Sequence, residues 1–110
     1  IAASGETPFF LLDEPLAGLD ARHQIELMRC LRTISTQYRA GVIVALHDIN
    51  LAARWCDRVV LLAEGRVVSQ GTPAEALTPE ALRRTFGIEM VVIPHPCDSG
   101  CLLVLDRVTC

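Results

Sequence analysis

The 110 residues are 51% apolar and 21% charged, which excludes a disordered or fibrous chain and sets the scale at one domain with one hydrophobic core at most. A formal net charge of −3 and a pI of about 5.5 supply no basic field to recruit nucleic acid. No apolar stretch approaches the roughly 20 residues that span a bilayer and the first residues lack a signal-peptide layout, so a membrane role requires a partner.

In chain order, Ile1–Ser4 reads as the end of a helix and Gly5–Pro8 as a turn. Phe9–Leu12 is a continuous apolar run, too short for a helix and too uniform for a half-exposed strand. It predicts a parallel strand buried on both faces. Asp13 and Glu14 follow at its end, and Pro15 removes a donor that a continuing ladder needs. Ligands of open α/β sheets gather at the carboxyl ends of strands, so this acidic pair is well placed to handle a metal and a water. Beyond Asp20, a candidate N-cap, apolar residues recur with helical period at Ile25, Leu27, Met28, Leu31, Ile34 and Tyr38. Arg22, Arg29, Arg32 and Arg39 face water in that reading.

Gly41 is expected to end the helix, and Val42–Leu46 to form a second apolar strand closed by His47. Asp48 caps a helix from Ile49 to Cys56, in which Trp55 is a packing residue. Arg58–Ala63 and Arg66–Gln70 read as a hairpin-like pair around Glu64-Gly65. Thr72, Pro73 and Glu75 make a capping box with proline at the first helical position, and Thr78-Pro79-Glu80 opens a further helix that runs through Phe86 to Gly87. Ile88–Ile93 and Cys101–Leu105 read as a terminal strand pair around a loop containing Pro94, Pro96 and Gly100. No repeat, linker or low-complexity stretch marks a domain boundary.

The five cysteines match no zinc spacing, and their odd number argues against a disulfide framework. Cys30 and Cys56 read as small buried hydrophobes; Cys97 and Cys101, spaced C-x3-C in a loop, could pair or bind a metal, the favoured reading being two reduced thiols. His23 and His95 receive no role. All ten basic residues are arginine, so these residues contain no phosphate-binding loop G-x-x-x-x-G-K-[ST], whose lysine reaches the β and γ phosphates.

Phe9–Glu14 resembles the Walker B segment of the ATP-binding cassette (ABC) ATPases, Pro15–Asp20 resembles their D-loop, and His47 their switch histidine. Order and spacing agree, and the resemblance extends over nearly the whole chain. Gly71–Glu75 is similar to the segment that closes the family's core domain. The tail from Phe86 to Pro96 is similar to those of importers for iron–siderophore complexes, haem or vitamin B12. The family's Leu-Ser-Gly-Gly-Gln signature is missing, and the chain begins roughly where that signature's helix would finish. Ala17-Gly18 stands where the commoner D-loop has serine or threonine with alanine, leaving Asp20 in register.

The resemblance implies an α/β fold, the C-terminal portion of a P-loop NTPase (RecA-like) ABC domain. Such a portion has a mostly parallel sheet, flanking helices and a terminal strand pair, with residues 1–110 forming one partial domain without P-loop or signature. It implies ATP and Mg2+ as cofactors. Asp13 would hold the magnesium through water, Glu14 would be the general base, and His47 would sense the γ-phosphate. Asp20 would contact a second ABC ATPase domain in a head-to-tail dimer, completing the cofactor-binding set with Asp13. Transmembrane permease subunits and, indirectly, a periplasmic binding protein are the further partners implied, at the cytoplasmic face of the inner membrane and without nucleic acid. The function implied is the ATP-hydrolysing subunit of an importer for an iron complex, haem or a related chelate, the chain alone being inactive. A DNA-repair or translation ABC ATPase is the alternative within the family. A non-enzymatic α/β half-domain or phospho-receiver is the alternative outside it, and the absence of lysine counts against a receiver. A sheet without its P-loop strand would also expose an unpaired edge.

Overall fold

The computed structural model describes residues 8–106, which form six strands and four helices. The expected helix end and turn before Pro8, and Cys110, lie outside the described residues. The chain divides into two units, one ending at His47 and one beginning at Asp48.

In the first unit, β1 (Phe9–Asp13) and β2 (Gly41–Ala45) pair in parallel, joined through α1 (Ala21–Gln37). Parallel neighbours need a long crossover, and the amphipathic helix supplies it. Met28 and Leu31 are buried on α1, as are Leu16 and Ala40 in the flanking loops. The expectation that β1 is buried on both faces is corrected. Leu12 is half-buried, whereas Phe9 and Leu11 are 65% and 76% exposed and Ile43 on β2 is 52% exposed. Among the described residues this sheet has two strands, and the one helix of the unit can cover only one of its faces.

Two local expectations also change. Gly41 does not end α1. Tyr38 is the C-cap and Arg39 takes the left-handed conformation that follows it (φ 50°). Gly41 instead opens β2 opposite Phe9, whose ring lies where a Cβ would be, 2.6 Å away. Cys30 is exposed on the outer side of α1 and is no core residue.

In the second unit, β3 (Val59–Ala63) and β4 (Arg66–Gly71) are antiparallel around Glu64 and Gly65, at φ 52° and 72°. Both central residues are left-handed, the requirement of the turn type whose twist matches a tight hairpin. A register shift between Leu61 and Leu62 marks a bulge. Val59 and Leu61 point into the core while Val60 and Leu62 face out, the alternation of a strand with one covered face.

The capping box of α3 (Pro73–Ala76) forms as expected: Thr72 N–H donates to Glu75 Oε1 at 2.9 Å, and Glu75 N–H to Thr72 Oγ1 at 3.3 Å. Gly71 is part of that device, because a Cβ there would stand 2.9 Å from Glu75 Oε1. Thr78 caps α4 (Pro79–Phe86), and Gly87 ends it at φ 76°. Leu77 and Leu82 are fully buried and centre a core that includes Ala53, Val59, Leu61, Ala76, Ala81 and Val104. Burying a leucine side chain contributes about 1.5–3 kcal/mol.

The terminal pair is tighter than expected. β5 (Met90–His95) and β6 (Asp98–Asp106) meet around Pro96 and Cys97, and Pro94 pairs with Leu102 inside the ladder. Cys101 therefore lies on a strand, not in a loop. α2 (Ile49–Trp55), capped by Asp48, is fastened to this hairpin by Asn50. Its Nδ2 donates to Val104 C=O at 3.0 Å and its Oδ1 accepts Val104 N–H at 2.7 Å. The parallel character of the fold thus resides in β1–β2, the other two pairs being antiparallel.

Candidate active site at the ends of β1 and β2

The register Asp13↔Ala45 brings the carboxyl ends of both strands to one edge. Glu14 N–H extends the pairing by one further bond, to Ala45 C=O at 3.1 Å. Glu14 itself has φ 48°, a left-handed conformation unusual for a side chain of its size. Its carbonyl then accepts Ala17 N–H at 3.2 Å, so the strained residue is tied on both sides. The reversal carries the Glu14 carboxylate to His47, two residues beyond the end of β2, where Glu14 Oε1 meets His47 Nε2. With Glu14 ionised the proton of this contact sits on Nε2, because a carboxylate offers only acceptors. Both groups remain open to solvent, the His47 side chain at 87% and that of Glu14 at 45%.

The loop that follows is built from two turns around buried Leu16, the second closed by Leu19 N–H to Leu16 C=O at 3.1 Å. Gly18 takes φ 79° there, a left-handed conformation that glycine adopts without penalty. The loop delivers Asp20 to the N-terminus of α1. There Oδ1 accepts His23 N–H at 2.9 Å and lies 2.7 Å from His23 Nδ1. The His23 amide, then its ring, then the Arg22 amide hold the Asp20 carboxyl below the ordinary carboxylate range.

Of the residues expected at the site, Glu14 and His47 touch, Asp13 is the exposed neighbour at the strand end, and Asp20 engages His23 and not that trio. His23 escaped sequence reasoning, although its place three residues after an N-cap aspartate is where a side chain can reach back to the cap.

Among the described residues no group of three or more histidine, cysteine or acidic side chains is arranged to hold a metal. Asp13 offers one exposed hard oxygen donor. That donor set fits an ion such as magnesium, which keeps several waters and takes few protein carboxylates, and does not fit a closed protein cage.

No family model matches the chain. It is 51% identical over 106 residues, 96% of its length, to the hemin import ATP-binding protein HmuV of Bordetella avium. It is 48% identical over 94 residues, 86% of its length, to the HmuV protein of Deinococcus radiodurans. It spans 41% and 36% of those two proteins. Among solved structures, CbiO1 from Clostridium perfringens, part of the ABC transporter complex CbiONQ, superposes with a TM-score of 0.56 at 34% identity, over 72% of this chain and 33% of that one. Over nearly its whole length the chain is similar to the ATP-binding proteins of ABC transporters.

A second solved ABC protein, an inward-facing transporter of the metal-chelate type, shares the fold with a TM-score of 0.76 at 22% identity. That match covers 89% of this chain and 40% of the other. The ABC ATPase fold explains why the acidic pair and the histidine share one sheet edge: their strands are parallel neighbours, so every carboxyl end faces the same way. No helix among the described residues is long and apolar enough to cross a membrane.

Proposed function

We propose that this chain carries the hydrolytic half of an ATP site, and that the full-length protein energises import of haem or a related metal chelate. The contact between Glu14 and His47 at the end of a Walker B-like strand carries this reading. The identity to hemin import ATP-binding proteins supports the cargo class.

Phosphoryl transfer needs charge neutralisation and an aimed water more than covalent participation by the protein. Glu14 is the general base: its carboxylate accepts a proton from the water that attacks the γ-phosphorus. His47 donates from Nε2 to Glu14 Oε1, which fixes the carboxylate and leaves its other oxygen for that water. The exposure of the His47 ring lets it turn that N–H to a γ-phosphate oxygen instead when nucleotide is present. Asp13 would hold magnesium through water, and the ion, when bound, neutralises charge on the β and γ phosphates. Asp20, at the start of α1, serves the contact with a second ATPase domain. The phosphate cradle lies outside these residues, which contain no lysine. Permease subunits supply the membrane passage, with this protein bound at the cytoplasmic face.

The test is transport. Full-length protein reconstituted with its permease in proteoliposomes is expected to accumulate haem or an iron chelate only when ATP is supplied on the ATPase side. Accumulation without ATP would contradict the proposal. So would a purified full-length protein that retains nucleic acid and no polytopic membrane partner, the outcome a repair or translation ATPase predicts.

A further inference from the structure

His23 occupies the third position of α1, and both its backbone and its ring turn back to Asp20. The amide donates to Asp20 Oδ1 at 2.9 Å, and ring Nδ1 lies 2.7 Å from the same oxygen. At the next residue, Gln24 Nε2 donates to Leu19 C=O at 3.2 Å. An N-cap requires the amide contact alone, since its task is to satisfy an orphan backbone donor. The ring contact satisfies no such donor. What it restrains is the carboxylate, which two bonds to one oxygen hold in a single rotamer. With Asp20 ionised, the proton of the ring contact is on Nδ1.

Stability accounts for the amide cap but for little of the ring contact. The two side chains are 59% and 68% exposed, and exposed pairs of this kind contribute little to folding. Gln24 adds a restraint on the backbone immediately before Asp20, so consecutive residues of α1 immobilise the end of the loop from two directions.

We propose that His23 is a positioning residue, whose Nδ1–H holds the Asp20 carboxylate in the orientation that meets the second ATPase domain, with Gln24 fixing the backbone before it. This rests on the reading of Asp20 as the residue that couples the two domains. His23 acts through Asp20 and touches neither nucleotide nor water.

The experiment is steady-state ATPase kinetics of the full-length protein in its assembled transporter. It compares wild type, His23→Ala, His23→Asn, Asp20→Asn and the double variant His23→Ala/Asp20→Asn. His23→Ala keeps the backbone amide that caps α1, so the helix start survives. It is expected to lower kcat about fivefold or more, together with the Hill coefficient for ATP, while KM changes little. His23→Asn, whose Nδ2 can donate from near the position of ring Nδ1, is expected to restore kcat to within about twofold of wild type. On the Asp20→Asn background, His23→Ala is expected to add no further loss, because the carboxylate it orients is gone. Wild-type kinetics in His23→Ala beside an impaired Asp20→Asn would overturn the role of His23 and leave that of Asp20 standing. Wild-type kinetics in Asp20→Asn would overturn both. Equal losses in His23→Ala and His23→Asn, additive with Asp20→Asn, would mark His23 as a fold residue and overturn the proposal as well.

Discussion

Glu14 combines the proposed chemistry with the least comfortable backbone of the site. A left-handed residue with a Cβ costs about 1–2 kcal/mol relative to the right-handed region, and Glu14 sits at φ 48°. Glycine has no such penalty. Glu14→Gly is therefore expected to be more stable than Glu14→Ala by about 1 kcal/mol, although both remove the carboxylate. Urea midpoints of the two full-length variants check this, and equal midpoints would show that the turn relaxes without strain. The neighbouring caps respond to acid. Asp20, bonded to the His23 amide and ring, and Glu75, bonded to the Thr72 amide and hydroxyl, are both held below the ordinary carboxylate range. A carboxyl depressed in the folded state stabilises the fold above its unfolded pKa, and that contribution disappears as pH falls through the folded value. Helicity followed by circular dichroism is thus expected to fall as pH drops below the ordinary carboxylate range. Asp20→Asn, which still accepts the cap bond, should lose less helicity in acid; an unchanged acid transition would contradict the assignment. The strand-end positions of Asp13, Glu14 and His47 were legible in the sequence because each follows an apolar run, a local signal, whereas the roles proposed for them come from the resemblance to ABC ATPases. The Asp20–His23 ring contact was not, because a lone histidine after a cap has too many alternatives.

At the scale of elements, the local chemistry of helix starts translated directly into structure. Asp20, Asp48, Thr72 and Thr78 all cap as their sequence contexts imply. Helix and strand ends that depend on tertiary neighbours did not. Gly41 resembled a helix stop, yet the Phe9 ring across the sheet occupies the place of its missing side chain. Pro96 does lie in the turn, but Pro94 resembled part of that loop and stands in the ladder; among the described residues β5 has a single strand partner, so a proline inside it removes no bond to a second neighbour. Asn50 was invisible for the same reason, its partner Val104 lying 54 residues away. Its amide substitutes for a strand neighbour at the buried Val104 backbone, taking one donor and one acceptor. Asn50→Ala leaves both without that partner and is expected to destabilise by about 1–3 kcal/mol. Asn50→Asp, which keeps the acceptor but sets an oxygen against Val104 C=O, should not restore the loss. Chemical denaturation measures both, and wild-type stability in Asn50→Ala would remove the clamp from the account.

The chain spans about two fifths of the HmuV proteins it matches. Phe9, Leu11 and Ile43 leave one face of β1–β2 uncovered, although their apolar run reads as a strand buried on both sides. Sequence pattern registers the environment in which a strand operates, and the described residues supply only part of it. The same holds for the chemistry: the proposed base and its histidine are present, while no lysine for a phosphate cradle occurs in the 110 residues. Residues 1–110 purified alone are accordingly expected to release phosphate from ATP no faster than buffer, and robust turnover would show that the site needs nothing more.

Glu14 is the proposed general base of the site. That role is tested most directly by Glu14→Gln in the full-length protein, with ATP binding and single-turnover hydrolysis measured on the same preparation. The substitution retains size and hydrogen bonding but cannot accept the water's proton. ATP binding should stay near wild type, while hydrolysis falls by about 100-fold or more. Hydrolysis close to wild type with intact binding would contradict the assignment of Glu14 and, with it, the role given to His47.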